Sequence, residues 1–297
     1  MSKITPERLY ERGHGIDILI PTLNEVTHIA EAIENARAVG DVYILDSFST
    51  DGTQELARRS GAHVVEHTFI DYAKQKNWGL DNLPFRGEWV FILDADERIT
   101  PELREELFRI ADARGPVDGY YVNRVVIYKG TEVRHGGLYP SWNLRFFRRG
   151  RARYEDRAVH EHMVCTGPTE YLKHEMLHIR RESLQEWIRK HIRYADMESE
   201  EWVRQRQGLS PGGERAQKLF RGTLRFRQWI RREVWPRTPF RALVRFVFMY
   251  FVRLGFLDGR AGLRLAALTA CYEYQIGLLF REKLARVRTE AERRRTS

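Results

Sequence analysis

The order of apolar and polar residues predicts four short buried strands in the first hundred residues. Each is a run of bulky apolar side chains bounded by polar ones, which is typical of strands covered on both faces. They span residues 16–21, 42–45, 63–66 and 90–93. Helical spacing of apolar residues predicts helices over residues 26–39 and 72–80, and a third that begins near Gln54 after a polar turn. This alternation predicts a parallel sheet with helices on both faces.

The pattern changes after Pro101. A short helix is followed by strand-like segments at residues 119–128 and 143–147, which predict antiparallel additions to the sheet. Amphipathic spacing predicts a long helix from residue 182 to about 207. Its predicted apolar side carries Leu184, Trp187, Ile188, Ile192, Ala195 and Trp202. The remainder is predicted to be helical and rich in arginine, so the expected fold class is α/β with a basic α-helical C-terminal region.

Charge is distributed unevenly along the chain. Residues 1–120 hold 13 lysines and arginines against 22 acidic residues, a net charge of −9, whereas residues 121–297 hold 37 against 19, a net charge of +18. A surplus of basic surface suggests an anionic partner, such as phospholipid head groups, a phosphorylated glycan or nucleic acid. Composition alone does not choose among these partners.

The cysteines and the apolar segments indicate the cellular compartment in which the protein is expected. Cys165 and Cys271 are far apart and belong to no C-x-x-C pair, so neither a disulfide framework nor a thiolate zinc site is predicted. The first residues are mostly polar, which predicts no signal peptide. The most apolar segment, residues 240–257, is interrupted by arginines and is shorter than the roughly 20 apolar residues that span a bilayer. We therefore expect a cytoplasmic protein that is not integral to a membrane.

Polar and acidic side chains follow three of the predicted strands. Thr22 and Glu25 follow the first strand, Asp46 follows the second, and Asp94 and Asp96 follow the fourth. Ligands of open α/β sheets bind outside the carboxyl ends of the strands, and charges are rarely buried without a partner. A divalent cation would suit this edge, because Mg²⁺ and Mn²⁺ take carboxylate oxygens and keep sites free for phosphates. A single aspartate there could equally be a helix cap or a surface acid.

Four motifs, in order, resemble those of family 2 glycosyltransferases with the GT-A fold. They are Ile20-Pro21-Thr22-Leu23-Asn24-Glu25, Asp46 with Ser49-Thr50-Asp51-Gly52-Thr53, Lys76-Asn77-Trp78-Gly79, and Leu93-Asp94-Ala95-Asp96-Glu97. A further set resembles the branch that includes bacterial lipopolysaccharide core β-1,4-glucosyltransferases. It comprises Trp142-Asn143-Leu144-Arg145-Phe146-Phe147, Val159-His160-Glu161 and Gly255-Phe256-Leu257-Asp258-Gly259.

The resemblance implies a Rossmann-like nucleotide-sugar-binding domain over residues 1–180 and a basic helical region over residues 181–297. Residues 1–115 would be the nucleotide-sugar half, and residues 116–180 the acceptor and catalytic half. It also implies a UDP-sugar donor, a glycan or glycolipid acceptor, and Mn²⁺ or Mg²⁺ as cofactor.

The site residues that the resemblance implies lie in the first half. Thr22, Glu25 and Asp46 match positions at the nucleotide base and ribose, Asp94 matches one near the ribose, and Asp96 matches one that holds the metal on the diphosphate. Lys76 stands where the family often has arginine, which keeps a positive charge near the nucleotide without the bidentate geometry.

Transfer with inversion also requires a carboxylate that takes the proton from the acceptor hydroxyl. The candidates are Glu155, Asp156 and Glu161. Glu161 is favoured because His160-Glu161 resembles the His-Glu pair of this branch, and Asp156 is the second choice. All three could instead be salt-bridge partners of neighbouring arginines.

Two histidines have open roles. His178 could supply a third metal ligand, or it could be a packed, hydrogen-bonded side chain. His135, which precedes Gly136-Gly137, could line an acceptor pocket or be an ordinary loop residue.

The basic C-terminal half also has two interpretations. Arg241, Arg245 and Arg253 lie at helical spacing beside a larger apolar surface. That pattern is typical of a helix in a membrane interface with arginines toward anionic head groups, and equally of a helix packed on the main domain or a second subunit. Nucleic acid is not expected as a partner, because the sequence has no recognition-helix motif or zinc framework.

The sequence therefore predicts an inverting, metal-dependent glycosyltransferase that moves a hexose, with glucose favoured, from a UDP-sugar to a lipid-linked glycan such as the lipopolysaccharide core. It would be cytoplasmic, on the inner face of the cell membrane. One alternative is a sugar nucleotidyltransferase, which would need a Gly-rich phosphate loop where Thr22-Leu23-Asn24-Glu25 stands. The other is a non-catalytic basic adaptor for membranes or nucleic acid, which would not bind a nucleoside diphosphate.

Overall fold

The computed structural model describes residues 14–113, 115–155, 163–207, 235, 238 and 240–296. These residues form two compact units. The first comprises the described residues up to Glu132 and those from Leu138 to Arg180. The second comprises Val133–Gly137 and the described residues from Arg181 onward.

Four parallel strands form one side of the main sheet of the first unit. They are β1 (Ile16–Thr22), β2 (Asp41–Asp46), β3 (His63–Glu66) and β4 (Trp89–Ile92), in the order β3-β2-β1-β4. The helices α1 (Ile29–Arg37), α2 (Thr53–Arg59) and α3 (Tyr72–Asn82) connect them. Ile18, Leu19 and Ile20 of β1 are completely buried, because this strand is covered on both faces. The predicted strand–helix alternation and parallel sheet are confirmed.

Five strands from later in the chain extend this sheet beyond β4. The elements that follow β4 are β5 (Glu97–Ile99), α4 (Pro101–Ala113), β6 (Gly119–Tyr128), β7 (Thr131–Val133), β8 (Trp142–Arg148), β9 (Ala152–Tyr154), β10 (Met163–Cys165) and β11 (Thr169–Arg180). The sheet continues as β4-β8-β6-β11-β5, with β7 beside β6, while β9 and β10 form a separate antiparallel pair. β6 and β8 are antiparallel additions, as predicted. β11 lies parallel to β6, a pairing that the sequence pattern did not predict.

Apolar clusters cover both faces of the main sheet. On one face the sheet packs against α1, α2 and α4, where Ile33, Ala57 and Leu103 are completely buried. On the other face it packs against α3 and the β9–β10 pair. Gly79 allows α3 to lie close to the sheet, because a Cβ at this position would be 2.9 Å from Cδ2 of Leu45. The mixed sheet with helices on both faces and helices at the C-terminal end is the α/β fold class predicted.

From Arg181 onward, the described residues of the second unit are mainly helical. Its elements are α5 (Leu184–Arg206), α6 (Arg241–Val247), a π-helical turn (Phe248–Val252), a 3₁₀ turn (Gly255–Asp258) and α7 (Gly259–Thr296). α5 begins with a capping box, in which the Ser183 side chain accepts from Glu186 N and the Glu186 carboxylate accepts from Ser183 N. None of the described helices has both the length and the apolar composition needed to cross a bilayer.

The predicted apolar side of α5 is only partly buried. Its buried residues are Trp187, Ala195, Ser199 and Val203, whereas Leu184, Ile188 and Ile192 are exposed. α5 packs on α7, where the Tyr272 hydroxyl donates to the carboxylate of Glu198. The amphipathic helix is present, and part of its predicted apolar side is exposed.

Candidate active site

The carboxyl ends of β1 and β2 carry the first two predicted site residues. Thr22 and Asp46 are direct partners in the parallel ladder, and both are buried. The Thr22 hydroxyl donates to Asp46 Oδ2 at 2.8 Å. Parallel strands bring their ends to the same edge of a sheet, so the structure joins these two residues as the sequence order suggested.

The Asp46 carboxylate holds the loop that follows β2. Besides Thr22, it accepts from Ser49 N at 2.7 Å, Ser49 Oγ at 2.6 Å and Gln54 Nε2 at 2.7 Å. These four bonds use the four acceptor positions of a carboxylate. In this structure Asp46 therefore positions the loop, and its predicted contact with the nucleotide stays a prediction.

The loop after β1 is fixed to the same loop. Asn24 has a left-handed backbone (φ 58°), which asparagine tolerates better than most residues. Asn24 N donates to Ser49 Oγ at 2.8 Å, and Glu25 N donates to Thr53 Oγ1 at 2.8 Å. The same Thr53 hydroxyl donates to Asp51 Oδ1 at 2.5 Å. Glu25 is thus placed beside the Asp46 loop, half-buried at the edge of the sheet.

A charged cluster lies at the exit of β4. Asp94 and Glu97 close a tight turn, in which Asp94 N donates to Glu97 Oε2 at 2.9 Å and Glu97 N donates to Asp94 O at 2.8 Å. Nη2 of Arg145 donates to both carboxylates, at 2.7 Å to Asp94 Oδ2 and 2.9 Å to Glu97 Oε1. Arg124 Nη1 lies 3.3 Å from the same Glu97 oxygen. Glu97 and Arg145 are buried, whereas the Asp94 side chain is one-third exposed.

The cluster shifts the pKa values of its two carboxylates in opposite directions. Burial raises the pKa of Asp94, but the positive charges of Arg145 and Lys76 outweigh that effect and hold this pKa well below its usual range. Burial also raises the pKa of Glu97. Arg145 lowers this pKa and the neighbouring charge of Asp94 raises it, so the net effect is an increase. Burial lowers the pKa of Arg145, but the two carboxylates raise it well above its usual value. Asp94 and Arg145 are therefore charged across the physiological pH range.

A β-bulge directs Arg145 toward these carboxylates. In the β6–β8 ladder, Phe146 lies opposite Tyr120 and Leu144 lies opposite Tyr121, so Arg145 has no partner on β6. Bulges of this kind re-aim a side chain and are common beside active sites. Sequence reasoning gave no role to Arg145, Glu97 or Arg124. The available signal was a charged residue between bulky apolar ones, as in Leu144-Arg145-Phe146.

Some donor groups of this cluster have no protein acceptor. Within the described part of the chain, Nε and Nη1 of Arg145 and Nε of Arg124 are buried without a hydrogen-bond partner. Unpaired buried N–H groups cost free energy that an anionic ligand or ordered water would offset. The chemistry of these N–H groups therefore suits an anion.

Lys76 approaches the cluster from α3. Its Nζ lies 3.9 Å from Asp94 Oδ1 and 5.0 Å from the centre of the Tyr154 ring. The next residue, Asn77, fixes α3 to the end of β9: Nδ2 donates to Tyr154 O and Oδ1 accepts from Tyr154 N, both at 2.9 Å. Glu155 follows Tyr154 directly. The two favoured base candidates, Asp156 and Glu161, lie outside the described residues.

Asp96 and His178 lie together beside the cluster. β11 pairs with β5, which places His178 opposite Glu97, and His178 Nε2 lies 3.0 Å from Asp96 Oδ2. His178 Nδ1 is buried, with no hydrogen-bond partner among the described residues. The two candidate metal ligands named from the sequence thus lie within hydrogen-bonding distance of each other, and their metal-binding role stays a prediction. His135 lies in the second unit instead, where its Nδ1 is 2.7 Å from Asp258 Oδ1.

One carboxylate and one imidazole fit a metal site that is completed by a substrate. Across the described residues, no group of three or more histidine, cysteine and acidic side chains could hold a metal ion. Mg²⁺ and related cations often take only one or two protein ligands and complete their coordination with substrate phosphates and water. The Asp96–His178 pair is compatible with that second kind of site.

The site residues lie within a region that matches a known family. The sequence model of Glycosyl transferase family 2 matches residues 17–173, just over half of the chain. The chain belongs to this family. The predicted family, the GT-A type of fold and the prediction that the protein is a glycosyltransferase are confirmed, and the nucleotidyltransferase and adaptor alternatives are not supported.

Relatives of this family 2 glycosyltransferase include a lipopolysaccharide enzyme. The lipopolysaccharide core biosynthesis glycosyltransferase LpsC of Rhizobium meliloti is 30% identical over 195 residues, which cover 63% of this chain and 72% of LpsC. An uncharacterized glycosyltransferase of Rickettsia conorii is 38% identical over 93 residues, covering 31% of this chain and 32% of the relative. The match to LpsC thus extends over most of both proteins, and the match to the Rickettsia protein over about a third of each.

Solved structures of similar fold share less of the chain. Mannosyl-3-phosphoglycerate synthase from Rubrobacter xylanophilus is 20% identical, with a TM-score of 0.33, over 41% of this chain and 45% of that one. Glucosyl-3-phosphoglycerate synthase from Mycobacterium tuberculosis, in complex with Mn²⁺, UDP and glucosyl-3-phosphoglycerate, is 21% identical, with a TM-score of 0.33, over 42% of this chain and 50% of that one.

Proposed function

We propose that this glycosyltransferase is inverting and metal-dependent, and that it transfers a hexose, with glucose favoured, from a UDP-sugar to a lipid-linked glycan. The observation that carries the proposal is the cluster at the exit of β4. There Asp94 and Asp96 lie beside Lys76, Arg145 and His178, so carboxylates, cations and an imidazole meet at one strand end. A nucleoside diphosphate needs this combination, because its phosphates require positive charge and its ribose hydroxyls require acceptors.

The first two strand ends would bind the nucleoside. Thr22 and Asp46 fix the loop after β2, and Glu25 is held against that loop through its backbone N–H. The half-buried Glu25 carboxylate is placed to accept hydrogen bonds from a base or a ribose. Asp94, which stays ionised because of Arg145 and Lys76, would accept from a ribose hydroxyl.

Asp96 and His178 would hold Mn²⁺ or Mg²⁺ on the diphosphate. The bound cation would offset the negative charge that develops on the departing nucleoside diphosphate. Lys76 and the unpaired N–H groups of Arg145 would add positive charge from the protein side. The role of this chain is therefore to hold the leaving group and its charge in place.

Inversion follows from direct displacement at the anomeric carbon. The acceptor oxygen forms the new glycosidic bond on the face opposite the departing diphosphate oxygen, and its proton passes to a carboxylate of the protein. We assign that proton to Glu161, with Asp156 as the second candidate. Both follow β9, whose end is fixed to α3 beside Lys76.

A lipid-linked glycan is the proposed acceptor. LpsC is named for lipopolysaccharide core biosynthesis, and it matches most of this chain. A lipid-borne acceptor would also give a use to the basic second half of the sequence, since a cytoplasmic enzyme that works on it must reach the inner face of the membrane.

The test is to replace the proposed base and follow binding and turnover separately. We expect Glu161→Gln to remove transfer and to leave UDP binding unchanged, because the amide cannot take the acceptor proton. A thermal-shift screen of nucleotide-sugars identifies the donor, and product analysis with lipid-linked acceptors measures transfer. Asp156→Asn is the matched variant. Near-normal turnover of Glu161→Gln, with loss of turnover in Asp156→Asn, would move the base to Asp156.

A further inference from the structure

The helical segment around α6 has an inverted pattern of exposure. Arg241 is buried, with Nε and Nη2 donating to Glu273 O at 3.0 and 2.8 Å and the guanidinium 4.6 Å from the centre of the Trp202 ring. Five apolar side chains at helical spacing are instead exposed by 41% to 62%. They are Leu243, Val244, Val247, Phe248 and Phe251. An amphipathic helix of a water-soluble surface has the opposite arrangement.

The exposed apolar surface continues beyond this helix. We define the apolar patch as these five residues together with Phe240, Val252, Leu254, Phe256 and Leu257, all of which are more than 40% exposed. Contiguous exposed patches of large apolar side chains mark interaction sites, because leaving them in water costs free energy. The patch therefore requires a partner that is apolar over several side chains.

The charges within the segment that carries the patch are almost all positive. Residues 240–264 contain five arginines and a single acidic residue, Asp258. Arg253, Arg260 and Arg264 are exposed. The Asp258 side chain is only 5% exposed and is bonded to the His135 ring and backbone N–H. The partner must therefore combine an apolar interior with a negatively charged surface.

We propose that the apolar patch and these arginines form a docking surface for an anionic lipid bilayer. A bilayer interface has both required features, since acyl chains accept the apolar side chains and anionic head groups attract the arginines. A second copy of this chain would bring the same arginines to the shared interface, and juxtaposed like charges are unfavourable, so the patch fits an anionic bilayer better than a second copy. The inference deepens the proposed function by naming the surface that reaches a lipid-linked acceptor.

The same segment holds a loop that leads into the catalytic unit. Asp258 accepts from His135 N at 2.8 Å and from the His135 ring, and Arg253 O accepts from Gly136 N at 2.8 Å. Val133–Gly137 is thus bound within the second unit, although the chain continues from it into β8 and Arg145. This loop and the segment that carries the patch therefore belong to the same unit.

Vesicle flotation of the full-length protein tests the docking surface. We expect the wild type to bind vesicles of phosphatidylcholine with phosphatidylglycerol and to bind pure phosphatidylcholine vesicles more weakly. Added salt should weaken binding to the anionic vesicles. Arg260→Gln with Arg264→Gln should lower the partition coefficient about 25-fold, or about fivefold for each arginine. Phe248→Ser and Phe251→Ser should each lower it about tenfold.

Two variants in the catalytic unit serve as matched controls. Phe69 and Arg109 are an exposed phenylalanine and an exposed arginine far from the patch in sequence, so Phe69→Ser and Arg109→Gln should bind vesicles like the wild type. Circular dichroism confirms that each variant is folded. The inference is overturned if the wild type does not bind anionic vesicles or if patch variants and controls bind alike. It is also overturned if sedimentation shows that the patch variants only dissociate a dimer.

Calorimetry with UDP on the same preparations separates this inference from the proposed function. Vesicle binding without UDP binding would remove the proposed function and leave the docking surface. UDP binding with transfer to a detergent-dispersed acceptor, but without vesicle binding, would remove only the docking surface.

Discussion

At the scale of single residues, Arg145 allows two carboxylates to lie side by side at the exit of β4. Its guanidinium bonds both Asp94 and Glu97, and a bulge in β8 places it there. The consequence is a division of roles in which Glu97 is internal and structural, whereas Asp94 stays ionised and one-third exposed. Asp94 can therefore meet a ligand while its charge is fixed by the protein.

Removing Arg145 should destabilise the fold in a pH-dependent way. We expect Arg145→Met to lower the free energy of unfolding at pH 7 by about 3–5 kcal/mol, because it leaves buried carboxylates without their partner. Without Arg145, the pKa of Asp94 rises from its low wild-type value, and the pKa of Glu97, already raised by burial, rises further. The penalty is therefore largest near neutral pH and shrinks progressively as the pH falls below about 4, the usual carboxyl range, toward the low folded pKa of Asp94. Urea unfolding at several pH values measures it.

The control for this prediction is Arg109→Met, an exposed arginine on α4. It should change the free energy of unfolding by less than about 0.5 kcal/mol at any of these pH values. Equal effects of the two substitutions, or a penalty for Arg145→Met that does not depend on pH, would contradict the role given to the cluster.

His178 offers a second test at this scale. If its imidazole is a metal ligand, His178→Ala should raise the Mn²⁺ concentration for half-maximal transfer by at least about tenfold. Loss of a residue that only hydrogen-bonds to a metal ligand already has an effect of about this size. His174→Ala is the matched control, because His174 lies on the same strand and contacts Glu106 instead. An unchanged Mn²⁺ requirement in His178→Ala would make this histidine a packing residue.

At the scale of elements, two features place the site. The loops after β1 and β2 are cross-linked by side chains, and α3 is fixed to the end of β9 by Asn77. Because Tyr154 lies over Lys76 and precedes the base candidates, this second contact joins the donor side of the site to the segment that would supply the base.

Breaking that contact should affect turnover more than donor binding. Asn77→Ala leaves Tyr154 N and Tyr154 O without their partner, which costs about 1–3 kcal/mol if they stay buried. We expect kcat to fall. The Kd for UDP should change by less than about threefold, which is a small change in binding free energy. Asn82→Ala, on the exposed side of the same helix, should leave both unchanged. A larger effect on UDP binding than on kcat would refute this coupling.

Much of the first sheet could be predicted from the sequence, because its strands are continuous apolar runs that end in polar residues. The nearness of Thr22 to Asp46, and of Asp96 to His178, is present in the structure. Arg145 was missed because its position depends on a bulge, and a bulge is set by pairing between distant strands. β11 was missed for a similar reason, since its pairing with β6 joins distant parts of the chain.

At the scale of the whole molecule, the change of charge along the chain corresponds to a change of structure. The acidic first part contains the parallel strands and the acidic strand ends, and the basic remainder contains the described helices of the second unit. The family match covers the first unit, and the second unit carries the apolar patch. We therefore propose that the first unit carries the chemistry and that the second gives access to a membrane-borne acceptor.

Calorimetric titration of UDP into the full-length protein, with and without Mn²⁺, tests whether the exit of β4 binds a nucleoside diphosphate through a metal. We predict that UDP binds with Mn²⁺ present, and that Asp96→Ala weakens this binding by at least about tenfold through loss of the metal. An Asp112→Ala variant, at an exposed acid on α4, should bind UDP like the wild type. Absence of UDP binding to the wild type in Mn²⁺, or equal binding by Asp96→Ala, would contradict the account.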